Sequence, residues 1–145
     1  MDYDCSNYYD QSYYMSLIPR LEEYINDELN DSNYYKELAK LAPTPWARDI
    51  ISQFSIDEAD HAERLQEMYM CITGVSYIPK PLNPVMIKDY EKGLKIRSLP
   101  ETKDFRKYGE EYLMAYNKYF KDSFFRMSQI EGSHAMLIPI LLEEE

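Results

Sequence analysis

From Ser16 onward, Leu17, Ile18, Leu21, Tyr24, Ile25, Tyr35, Leu38 and Leu41 recur largely at three- and four-residue steps. That period puts them on one face of an amphipathic helix, with Pro19 in its first turn, where a missing N–H costs least. The helix ends at Ala42-Pro43-Thr44-Pro45, because Pro43 cannot continue it, while Thr44 and Pro45 suit the N-cap and first turn of a second helix. This second helix is predicted over residues 45–73, ending at Gly74. Residues 75–84 hold Pro79, Pro81 and Pro84 and lack the alternation of a strand. Some ten extended residues reach about 35 Å, the length of a helix of about 25 residues, so this stretch can cross from one end of a bundle to the other. Ile87, Tyr90, Leu94, Phe105, Tyr108, Tyr112 and Leu113 predict a third helix over 85–115, and a fourth follows over 118–142. Pro100 should kink or split the third helix, and Gly132 and Pro139 weaken the fourth. Residues 1–15 carry Tyr3, Tyr8, Tyr9, Tyr13 and Tyr14 among polar residues without any period, which reads as a flexible arm outside the core. The expected fold is all-α: a four-helix bundle over 16–145, made of a hairpin at 16–74, a crossover at 75–84 and a hairpin at 85–142.

The two hairpins are copies of each other. Sliding residues 28–62 onto 101–135 gives ten identities, among them Glu28/Glu101, Asp31/Asp104, Tyr35/Tyr108, Ser55/Ser128, Glu58/Glu131 and His61/His134. Both histidines of the chain fall in this register, each three residues after one glutamate and 33 after another. Such an offset is the mark of an internal duplication. Glu28 lies fifteen residues before Pro43 and Glu58 fifteen after it, so an antiparallel hairpin sets them at one height; Glu101 and Glu131 repeat this about Tyr116. Each histidine shares a helical face with the glutamate three residues before it. Packed face to face, the hairpins bring four carboxylates and two imidazoles to one level of the core.

Four buried carboxylates without compensation would be forced to protonate. Two divalent cations supply the missing charge and accept the imidazoles as neutral ligands. Mixed oxygen and nitrogen ligation with open positions suits iron or manganese better than calcium or copper.

Composition narrows the setting. The 145 residues make one domain able to bury its own core. A net charge of −10 argues against nucleic acid or an anionic membrane as partner, and no run approaches the length of a membrane span. Cys5 and Cys71 form no metal-binding spacing, which excludes a cysteine-ligated iron or zinc centre and suits a reducing, cytoplasmic setting; Cys71 is read as a packing residue.

On these residues the chain resembles the ferritin-like superfamily, and within it the rubrerythrin-like domains and their short relatives in spore-forming bacteria; the glutamates and the two Glu-x-x-His motifs carry the resemblance over about residues 17–142. It implies a di-iron site with Glu28, Glu58, His61, Glu101, Glu131 and His134 as ligands and Glu58 and Glu131 as the bridging pair. It also implies a further carboxylate at Asp104, in place of the family's glutamate, and hydrogen bonds from Tyr35 and Tyr108 to the site carboxylates. Without the resemblance, both tyrosines read equally well as core aromatics. The implied activity is reduction of hydrogen peroxide or dioxygen, in a homodimer. The rubredoxin-like module that delivers electrons in many relatives is missing, so the donor would be a separate rubredoxin-like protein. Iron oxidation for storage, a manganese catalase, and a metal-stabilised scaffold for a spore coat, with the tyrosine arm as its contact, are the alternatives.

Overall fold

The computed structural model describes residues 11–143, all of whose regular structure is helical. α1 spans Gln11–Ala39, α2 Pro45–Thr73, α3 Tyr90–Lys95, α4 Ser98–Met114 and α5 Lys118–Glu143. α1 packs against α2 and α4 against α5, and the two hairpins close into a four-helix bundle.

α2 starts and stops where local chemistry dictates. Thr44 is extended and its hydroxyl accepts the Ala47 N–H at 3.1 Å, with Pro45 in the first turn. Gly74 then takes φ 78°, a left-handed conformation that lets its N–H close on the Met70 carbonyl at 2.8 Å.

Between α2 and α3 the chain is non-helical through Asp89, five residues beyond the expected crossover. Amide side chains fasten it to the first hairpin. Gln66 receives the Tyr77 N–H at 3.0 Å and donates to the Tyr77 carbonyl at 2.8 Å, while Asn26 and Asn30 on α1 accept the N–H groups of Lys80 and Asn83 at 2.9 and 2.7 Å. Next along α1, Tyr34 donates to the Gly93 carbonyl at 2.7 Å. The crossover thus climbs α1 and delivers α4 at the opposite end of the bundle.

Three expectations need correction. The arm predicted over 1–15 lies in its first ten residues outside the described ones, and from Gln11 it is helix. Tyr13 and Tyr14 are buried, Tyr14 edge-on to Phe120 at 5.6 Å and Tyr13 edge-on to Tyr116 at the same distance. Burial of these rings against the second hairpin outweighs the polar composition around them, and it leaves Pro19 in the helix interior instead of the first turn. The third helix is split, as Pro100 suggested, but it starts at Tyr90 instead of residue 85 and breaks into α3 and α4 at Ile96 and Arg97, so that Pro100 falls in the first turn of α4 where its missing donor is harmless. Cys71 is not a simple packing residue: it is disulfide-bonded, its partner lying outside the described residues, and the reducing-compartment reading loses that support.

The duplication is visible in the packing. Ser55 on α2 donates to the Ser32 carbonyl at 2.7 Å, and Ser128 on α5 donates to the Phe105 carbonyl at 2.8 Å, the same interhelix bond 73 residues apart. Gly132 answers a local need, since a Cβ there would meet the Phe105 ring at 2.8 Å. Two apolar layers fill the bundle. One holds Leu17, Leu21, Leu65, Phe120 and Phe124, the other Leu38, Ile51, Phe54, Ile138 and Leu141, and the charged residues lie between them.

Candidate metal centre

The six residues singled out by the repeat converge from α1, α2, α4 and α5. Glu28, Glu58, His61, Glu101, Glu131 and His134 are each no more than 2% exposed. They form two overlapping groups: Glu28, Glu58, His61 and Glu131, then Glu58, Glu101, Glu131 and His134, each offering ligand atoms within 4.8 Å of one another. His61 Nδ1 lies 3.0 Å from Glu131 Oε1 and 3.7 Å from Glu28 Oε2. His134 Nδ1 lies 3.2 Å from Glu58 Oε1 and 3.5 Å from Glu101 Oε2. Glu58 and Glu131 belong to both groups, so each can face two ions at once.

Tyr35 and Tyr108 do join the site, in a crossed arrangement. The Tyr35 hydroxyl on α1 donates to Glu101 Oε1 on α4, and the Tyr108 hydroxyl on α4 donates to Glu28 Oε1 on α1. Both rings are fully buried, so each is a core aromatic whose hydroxyl also meets a carboxylate of the cluster. These bonds sort the carboxylates. Glu28 and Glu101 each spend one oxygen on a tyrosine and keep Oε2 without a hydrogen-bond partner, whereas Glu58 and Glu131 have both oxygens unpartnered. His61 Nδ1 and His134 Nδ1 are also unpartnered. Buried polar atoms are nearly always satisfied, so eight inward-facing orphans at one level fit a pair of cations.

The electrostatics carry the same signature. Burial, followed by the charges of Glu28 and a second carboxylate, raises Glu58 and Glu131 well above the usual carboxylate range. Burial acts on Glu101 as well, but the nearby His134 and Glu131, the His134 charge and Arg97 hold it at about 2. Glu28 is likewise held below its ordinary value against its burial, chiefly by His61. Burial opposes a charge on His134, yet Asp57 and Glu101 hold its pKa up at about 9. Protons thus do for the metal-free cluster what cations would do.

Asp104 is not among the clustered ligand atoms. Its Oδ1 accepts from Lys107 Nζ at 2.9 Å, and that ammonium sits over the Tyr24 and Tyr108 rings, 4.4 and 4.6 Å from their centroids. Its counterpart Asp31 is paired with Arg97 at 2.9 Å. Arg97 also donates to the Tyr35 hydroxyl at 3.2 Å and to Glu101 Oε1 at 3.3 Å, and lies over the Tyr34 and Tyr35 rings. Sequence reasoning missed Arg97, Lys107 and Asp57. The offset of 73 held a clue to the first two, because it pairs Arg97 with Tyr24 and Lys107 with Tyr34: the first hairpin has two extra rings where the second has two cations, and each cation packs over one of those rings across the bundle. Asp57 fixes His134, its Oδ2 lying 2.8 Å from Nε2.

No curated protein and no solved structure matches the chain. The rubrerythrin family model does, over residues 20–142. That match covers both hairpins and every residue of the cluster, and the chain therefore belongs to the rubrerythrin family.

Proposed function

We propose that the protein is a dinuclear-metal oxidoreductase that reduces hydrogen peroxide or dioxygen with electrons from a separate donor protein. The observation that supports it most is the division of labour among the glutamates: two with both oxygens unpartnered, as a bridge needs, and two with one oxygen each held by a buried tyrosine. Glu28 and His61 would hold one ion, Glu101 and His134 the other, and Glu58 and Glu131 both. The oxygen and nitrogen donor set suits iron, with manganese as the alternative. A bound metal pair supplies two electrons, the number that cleaves the peroxide bond to give two waters with two protons.

The chain's own residues prepare the cavity. Tyr35 and Tyr108 fix the rotamers of Glu101 and Glu28, which preorganises the shell. Phe54 stacks on the His134 ring at 4.1 Å, and the apolar layers on either side exclude water. Lys107 holds Asp104, so this carboxylate tunes the charge beside Glu28 from a distance instead of ligating.

The scaffold alternative drew on a tyrosine arm, and Tyr13 and Tyr14 now belong to the core. Partly exposed Trp46, Phe105 and Phe125 offer apolar surface for a homodimer.

Stopped-flow oxidation of the anaerobic, chemically reduced di-iron protein tests the proposal. Faster reoxidation by hydrogen peroxide than by dioxygen is expected. Equal, slow reoxidation by both, indifferent to Glu58→Gln, would favour a scaffold with structural metal.

A further inference from the structure

The two halves of the cluster differ once the outer nitrogen of each imidazole is followed. His134 turns Nδ1 inward and sets Nε2 2.8 Å from Asp57 Oδ2. His61 also turns Nδ1 inward, 3.0 Å from Glu131 Oε1, but its Nε2 is buried without a hydrogen-bond partner. The repeat supplies the reason. Asp57 directly precedes Glu58, and the residue directly preceding Glu131, 73 positions on, is Ile130. A carboxylate reaches across the hairpins to one histidine, and an aliphatic side chain occupies the matching position for the other.

We propose that Asp57 is a positioning residue that makes the two metal positions inequivalent: the one bounded by Glu58, Glu101, Glu131 and His134 fills first and holds its ion more tightly than the one bounded by Glu28, Glu58, His61 and Glu131. This rests on the dinuclear reading above. A carboxylate that accepts the Nε2 proton keeps the Nδ1 lone pair directed at the ion, fixes the ring and raises its basicity, an effect worth about 10–100-fold in metal affinity. Outside the cluster, the remaining charges act on the carboxylates and touch neither imidazole. Asp31 with Arg97 flanks one position, and Asp104 and Asp27 with Lys107 flank the other. Arg97 does touch Glu101, but at Oε1, the oxygen already held by Tyr35, and not at the inward Oε2. Asp57 is the carboxylate outside the cluster that meets one of its two imidazoles. Phe54, stacked on His134 with an interplanar angle of 29°, adds to the rigidity of that ring, whereas His61 meets the Tyr108 ring edge-on at 6.3 Å.

The test is an anaerobic titration of the full-length, metal-free protein with cobalt(II), read by calorimetry and by the visible absorption of the bound ion. Two resolved steps are expected. His134→Ala should remove the tighter step and His61→Ala the weaker. Asp57→Asn should weaken the tighter step about 10–100-fold and leave the other in place, while Ile130→Asp should strengthen the weaker one. Far-UV circular dichroism of each metal-free variant confirms that the bundle is retained. Two ions bound with a single affinity by the unaltered protein, or an Asp57→Asn variant in which both steps shift alike, would overturn the inference while leaving the dinuclear reading standing. Absence of any cobalt binding would overturn both.

Discussion

The Tyr108 hydroxyl donates to Glu28 across 80 residues of sequence, and this one bond ties α4 of the second hairpin to α1 of the first at the level of the cluster. Its twin, Tyr35 to Glu101, runs in the opposite sense. The twins are unequally insured. Glu101 Oε1 also receives Arg97 at 3.3 Å.

Tyr108→Phe should therefore cost more than Tyr35→Phe. Removing the hydroxyl at 108 leaves a buried carboxylate oxygen without its tyrosine donor, a loss of about 1–3 kcal/mol, while at 35 the guanidinium remains. Urea unfolding of the two metal-free variants at neutral pH gives the comparison. Equal losses would mean that Arg97 contributes nothing to Glu101.

Ligand substitutions should sort by how many ions each residue faces. Glu131→Ala, at a carboxylate shared by both groups, should abolish binding of two ions; Glu28→Ala should leave about one per chain. Elemental analysis after loading with iron or manganese distinguishes these outcomes. Metal loading should also raise the unfolding temperature of the unaltered protein, because only the folded cluster binds the ions well.

The pH dependence of the metal-free protein follows from the signs of the shifts. Glu58 and Glu131 have raised values, and His134 is raised to about 9. A group with a raised folded pKa favours folding while its proton is bound and loses that contribution as pH rises. For His134 the contribution is complete below about 6.5 and gone above about 9. Metal-free stability should thus decline between these values. Glu101, held at about 2, acts at the other end: its contribution is present above the ordinary glutamate range and is lost as pH falls toward 2. Metal affinity should rise with pH, because each ion displaces protons. Denaturant melts across pH, with and without manganese, check both slopes.

Tyr14→Ala should destabilise the bundle by about 3 kcal/mol, the usual cost of removing a buried aromatic ring. Tyr14 is 2% exposed and packs on Phe120. A melting temperature unchanged by this substitution would return residues 11–15 to the status of a dispensable arm.

What the sequence determined by itself is what repeats. The three- and four-residue apolar steps, the Thr44-Pro45 start, the Gly74 stop and the offset of 73 sufficed for an all-α bundle of two like hairpins and for the six residues that meet in its middle, because helical periodicity and equal distances from a turn are local arithmetic. What only the tertiary structure decided lies between the hairpins. Which tyrosine serves which glutamate, the capture of Asp104 by Lys107, the Arg97 link to Asp31, and the Asp57 contact that singles out His134 all join residues on different helices. The burial of Tyr13 and Tyr14 has the same origin: their own surroundings are polar, and the apolar surface that covers them comes from Tyr116 and Phe120, more than a hundred residues away. Side-chain partners across a bundle are set by the rotation of each helix about its axis, which the spacing within a single helix does not contain.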